Sequence, residues 1–148
     1  MGPTPAARRG ERGALAGGEA LPLGFLLLVV AILVITNGWA VLDARLAASA
    51  ASREATRTAV EAPADPRHAG VVAGQAALTS FGYGRGDSEV IIDAPDGFGR
   101  CAPVIASVTQ VIPAVRVPWI GGIGEVTVTA HHREVVDPFR NGVPEGSC

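Results

Sequence analysis

The chain has 148 residues, which is room for one anchor and one small domain. Its twelve basic residues, all arginine, against fourteen acids give a formal net charge of −2. Three of those arginines fall before Leu15, leaving nine against thirteen acids in the remainder, a balance that excludes a nucleic-acid footprint.

Residues 1–18 read as a basic leader carrying Arg8, Arg9 and Arg12. From Leu21 to Leu42 the chain then runs without a charge. That stretch reaches the ~20 apolar residues a helix needs to cross ~30 Å of hydrocarbon. The flank beyond it is not basic, since Asp43 and Arg45 cancel. The positive-inside rule therefore puts the N-terminus in the cytoplasm and everything after about residue 43 outside it. The expected location is a single pass through the cytoplasmic membrane.

The helical pattern continues past the anchor. Residues 43–62 contain neither glycine nor proline and are rich in alanine, the best helix former. Leu42, Leu46 and Ala50 recur at four-residue spacing, as do Ala47, Ala51, Ala55 and Ala59, and both sets mark a narrow, small-residue face. Residues 19–62 thus predict one transmembrane and stalk helix of ~40 residues, about 60 Å long at 1.5 Å per residue. Pro63 and Pro66 end it.

The remainder, 63–148, predicts an extracytoplasmic α+β domain. A short helix is expected over 67–80, with Val72, Ala76 and Phe81 in phase, before Gly82, Gly84 and Gly86 break it. The period then changes to two. Val90 and Ile92 alternate with Glu89 and Asp93 in a first strand, and Asp96-Gly97 signals a turn. Val104 to Ile112 predicts a second strand closed by Pro113, and Glu125 to His131 a third, with Val126, Val128 and Ala130 on one face. Three such strands suit an antiparallel meander. A sheet that small needs a partner, and the stalk half of the long helix is the obvious one.

Between the last two strands, Val115 to Gly124 is apolar apart from Arg116 and too rich in Gly and Pro for a regular strand. It reads as a loop. Either Trp119 and Ile120 fold onto the small core, or they stay exposed to meet a partner or the membrane surface. Cys101 and Cys148 are an even count in a compartment that permits disulfides. They are either a bridge, closing a loop of roughly fifty residues worth on the order of 4 kcal/mol, or two unrelated thiols.

Other patterns carry little chemistry. His131 and His132 are adjacent, so on a strand they point to opposite faces, with no acid or cysteine at ligand spacing. Gly82-x-Gly84-x-Gly86 lacks the preceding strand and following helix of a dinucleotide site. Arg85-Gly86-Asp87 matches an adhesion tripeptide that a Gly-rich turn yields by chance. No nucleophile elbow or oriented base is present. The expectation is a protein without catalytic activity, cofactor or metal.

Glu19, two residues ahead of the uncharged run, has two readings. An acid in the first helical turn favours the macrodipole by roughly 0.3–1 kcal/mol. The wider layout offers another. Glu11-Arg12-Gly13 precedes the core, Glu19 and Leu21-Pro22-Leu23 open it, an Ala-rich stalk spans Ala48 to Ala59, and Val126 to Phe139 ends the domain. In these features the chain resembles the TadE-like minor pseudopilins of tight-adherence pilus systems, a type IV pilin-like family.

That resemblance implies a pilin-like fold and a role in subunit assembly. It also implies, as partners, a prepilin peptidase, other pilin-like subunits, and the platform proteins and motor ATPase of the system. In the family the peptidase cuts after a small residue, typically glycine, leaving glutamate at the fifth mature position. Here a cut after Gly13 makes Glu19 sixth, and a cut after Ala14 makes it fifth. The resemblance implies that the Glu19 carboxylate pairs with the new α-amine of a neighbouring subunit, offsetting its desolvation. The alternative is a secreted or membrane-anchored binding protein with an ordinary signal peptide or signal anchor, for which Gly38-Trp39-Ala40 is an acceptable cleavage site.

Overall fold

The computed structural model describes residues 20–146 and Cys148. The long helix, α1, runs unbroken over Ala20–Glu61, 42 residues. Helix α2 follows over Pro66–Ser80, then strands β1 (Ser88–Asp93), β2 (Pro103–Val117) and β3 (Gly121–Val135). The strands form one antiparallel sheet in the order β1-β2-β3. The fold is α+β: a long N-terminal helix packed on a small three-stranded meander.

The chain divides into two compact units, Met1–Thr36 and Asn37–Cys148. In the first, the described residues are helical, and Leu21, Leu23, Phe25, Leu26, Leu27, Leu28, Val34 and Ile35 are all exposed. This end of α1 has a mean hydropathy of 2.5 and no buried side chain in its most apolar window, and so is a candidate membrane span.

The second unit takes in the rest of α1. Its buried face is made almost wholly of alanine: Ala44, Ala47, Ala48, Ala51, Ala55 and Ala59. Ser52 and Thr56 share that face and satisfy their hydroxyls locally, Thr56 on the Ser52 carbonyl (2.6 Å) and Ser52 on that of Ser49 (3.0 Å). Small residues here let backbones approach closely, and α2 answers with small residues of its own. A Cβ at Gly70 would meet the Ala55 carbonyl oxygen at 2.8 Å, and one at Gly74 would meet Val90 Cγ1 at 2.9 Å. Asp65 caps α2 by accepting from the His68 N–H (3.2 Å), with Pro66 in the first turn.

The sheet presents alternate residues to these helices: Val90 and Ile92 from β1, Val104, Ala106, Val108 and Ile112 from β2, Val128 from β3. Gln110 stands in the same buried row, and neither atom of its amide has a hydrogen-bond partner. Asp96-Gly97 does turn the chain, with Gly97 at φ 75° and its N–H on the Ala94 carbonyl (3.0 Å).

Several expectations need correction. Pro113 does not close β2, which continues to Val117, and β3 begins at Gly121. The Val115–Gly124 stretch is therefore the end of a β2–β3 hairpin and not an irregular loop. The reason lies in the register. β1 reaches only as far as the Ser88–Gln110 pair, which leaves one edge of β2 free beyond it, while the ladder to β3 runs on through Pro113, paired with Glu125, so one missing N–H does not end the strand. In α2, Val72 and Phe81 are exposed while Gly70, Gly74 and Leu78 face inward. Leu42 and Leu46 likewise point away from the alanine seam of α1.

Candidate functional site

Three of the residues singled out from sequence, Gly13, Ala14 and Glu19, lie outside the described residues. The others can be placed. Cys101 and Cys148 are bonded to each other, with Cα atoms 5.2 Å apart across 47 residues of sequence. The bridge works with a set of backbone ties around the same strand start. The Cys101 N–H donates to the Val136 carbonyl (2.9 Å), the Val136 N–H to that of Ala102 (3.0 Å), and the Arg100 N–H to that of Pro144 (3.0 Å). Arg140 reaches from the tail to the Ala62 carbonyl at the end of α1 (2.6 Å).

Trp119 and Ile120 form the tip of the β2–β3 hairpin, and both are exposed, Trp119 fully. Pro118 sets the turn. With its φ fixed by the ring it occupies the first central position, Trp119 takes the second at φ 66°, and the Ile120 N–H closes the turn on the Val117 carbonyl (3.2 Å). Glycine is the usual occupant of that second position. Holding a bulky aromatic there costs on the order of 1 kcal/mol, and its ring gains no burial against the domain in return.

The hairpin end is tied to α1 by a side chain that the sequence reading passed over. Asn37 takes up both main-chain groups of Arg116: its Oδ1 accepts from the Arg116 N–H (2.5 Å) and its Nδ2 donates to the Arg116 carbonyl (3.4 Å). The carboxamide thus stands in for a strand along the free edge of β2. One helical turn and a half further on, Asp43 accepts a hydrogen bond from Tyr83 Oη (3.0 Å). Burial raises the Tyr83 pKa above its ordinary value, and the hydrogen bond and negative charge of Asp43 raise it further, while Arg116 pulls the other way. A sequence signal existed for Asn37: a carboxamide inside an otherwise apolar run must find partners. None marked Tyr83, whose partner is forty residues away.

The remaining patterns stay local. His131 pairs across the strands with Ser107 (Oγ to Nδ1, 2.8 Å) on the exposed face of the sheet, and among the described residues no side chain hydrogen-bonds its other ring nitrogen. His132 lies on the opposite face with its carbonyl toward Thr56 Oγ1 (3.4 Å). Arg85–Asp87 is a single 3-10 turn leading into β1. Among the described residues no three His, Cys, Asp or Glu converge on a point that would hold a metal ion. Among the described residues of the Asn37–Cys148 unit, the hairpin end held by Asn37 gathers exposed aromatic and apolar side chains, Trp119, Ile120 and Ile123. Compared with known proteins, the chain matches no family model, no curated protein and no solved structure.

Proposed function

We propose that the protein is a minor pseudopilin or membrane-anchored assembly component of a tight-adherence pilus system, pilin-like in fold and acting by subunit packing, not catalysis. The observation that carries this reading is α1 itself. One unbroken helix has a first half whose large apolar side chains are mostly exposed, and a second half built through an alanine seam into an α+β unit. A helix of that kind can be held in a bilayer and later packed against other subunits, while its domain rides on the outside. In this reading the N-terminus is cytoplasmic, the domain is extracytoplasmic, and a prepilin peptidase trims the leader before the other pilin-like subunits, platform proteins and motor ATPase act on it.

N-terminal sequencing and intact mass of the mature chain test the processing step. A start at Ala14 or Leu15 supports the reading. A start at Val41 supports a secreted binding protein and would remove Asn37 together with its grip on Arg116. Glu19→Ala is expected to insert into the membrane at normal levels while surface pili fall severalfold. Unchanged piliation in that variant would take Glu19 out of the mechanism.

A further inference from the structure

The geometry points to a second membrane contact: the tip of the β2–β3 hairpin, led by Trp119 and Ile120, sits in the lipid interface of the bilayer that α1 enters. This rests on the membrane anchor and not on the pilus reading.

Two contacts fix the direction of the hairpin. Thr56 of α1 lies against His132, which pairs in register with Ala106, and Asn37 lies against Arg116. Moving along β2 from Ala106 to Arg116 therefore means moving back along α1 from Thr56 to Asn37. The strand runs antiparallel to the helix, and the hairpin turns at the Asn37 end. Asn37 belongs to the uncharged run, and its last residue, Leu42, is about 7.5 Å further along the helix axis. Arg116 is thus already on the apolar side of Asp43, the first charge. The chain goes on to Trp119, up to ~10 Å beyond it in extended form.

The chemistry of the tip suits that level. From Val117 to Gly124 there is no charged residue, and Ile120 and Ile123 are exposed beside Trp119. The two flanking charges lie further from the turn: Arg116 opposite Gly122, and Glu125 opposite Pro113. Arg116 is placed to reach lipid phosphate, and Glu125 is held farther out. Trp39, exposed on α1 two residues from Asn37, and Tyr83 on Asp43, about 9 Å along the helix from Asn37 on the side of the first charge, add aromatic side chains at the same end of the domain. Tryptophan and tyrosine favour that zone, where an apolar ring and a polar edge are both satisfied. A fully exposed Trp in a left-handed turn is poorly explained by water and well explained by a bilayer.

The test uses the full chain in phosphatidylcholine–phosphatidylglycerol nanodiscs holding one copy each. Trp39→Phe leaves Trp119 as the sole tryptophan, and the difference between wild type and Trp119→Phe gives the same signal with Trp39 in place. The expected result is Trp119 emission shifted to the blue of free tryptophan, quenched at least twofold by lipids brominated near the headgroup, and protected from iodide. Ile120→Asp should reverse the lipid quenching and restore iodide access, leaving the fold intact because that side chain is exposed. Emission and iodide quenching equal to free tryptophan would overturn the inference. So would shielding that develops only in discs with two copies, since a second protein and not lipid would then cover the tip.

Discussion

The two halves of α1 invert the usual relation between side-chain size and burial. In the first, most of the leucines, isoleucines and Phe25 are exposed; in the second, the inward face is alanine, serine and threonine. A large apolar side chain gains ~1.5–3 kcal/mol from leaving water. A row of them left exposed on one helix face would be costly and aggregation-prone in an aqueous medium. The inversion fits halves with different surroundings: residues 20–36 as a candidate membrane span, and a closely packed sheet and helix around 44–59. In the second half, what stabilises is proximity and not side-chain volume. Alanine next to glycine lets helix backbones and the sheet approach until dispersion contacts are dense.

The largest effect expected from this difference comes from the bridge. Replacing Cys101 and Cys148 together by serine removes a crosslink over 47 residues, and should cost the Asn37–Cys148 unit about 4 kcal/mol in the chain-entropy model. The loss should appear as a lower midpoint for the near-ultraviolet signal of the domain. The helical signal and membrane insertion of residues 20–36 should persist, because nothing in that half depends on the bridge. Equal loss in both halves would mean that the two are one cooperative body, and the comparison would fail.

A smaller effect comes from making the same substitution in each half. Glycine to alanine inside a helix gains roughly 1 kcal/mol of propensity when the methyl group has room. At Gly24 nothing lies within 4 Å, so Gly24→Ala should be neutral or mildly favourable. At Gly70 the new methyl would press on the Ala55 carbonyl oxygen at 2.8 Å and the Ala59 Cβ at 2.9 Å. Overpacking against a backbone atom outweighs the propensity gain, and Gly70→Ala should lose about 1–2 kcal/mol, seen as a thermal midpoint several degrees lower. A stabilised Gly70→Ala would show that the seam is loose.

These elements were legible in the sequence to different degrees. The anchor run, the alanine phase of α1 and the alternation in β1 are patterns of local period, and each could be read because one medium faces one side. Gly70 and Gly74 look like helix breakers in a single chain; they form the contact face of α2 only because Ala55 and Ala59 lie opposite them. Pro113 looks like a strand end, and β2 runs through it because β3 pairs on both sides of it, at Val126 and at Ile123. The hairpin end is the sharpest case. Trp119 was recognisable as unusual, but its exposure follows from the Pro118 turn and from the grip of Asn37 on Arg116, two residues 79 apart in sequence.

The smallest expected effect probes the seam between the two surroundings. Tyr83 is the chain's one tyrosine, so its ionisation can be followed by tyrosinate absorbance without interference. Its pKa should lie above the ordinary value of about 10, with burial as the larger cause and Asp43 as the next. Because the folded value is raised, the contribution to stability is complete below the unfolded pKa, and it is lost as the pH rises through the folded value. Tyr83→Phe should cost about 0.5–1 kcal/mol at neutral pH through the lost hydrogen bond, and should flatten the alkaline limb of the stability curve. Asp43→Asn should lower the Tyr83 pKa part of the way, since burial persists. Arg116→Gln should raise it, because the guanidinium is the one neighbour that favours the phenolate. Shifts of opposite sign at Asp43 and Arg116 would place both charges beside the same phenol, where α1 leaves its apolar run and the hairpin arrives. Shifts of the same sign would separate them, and the depth assigned to Arg116 would have to move with it.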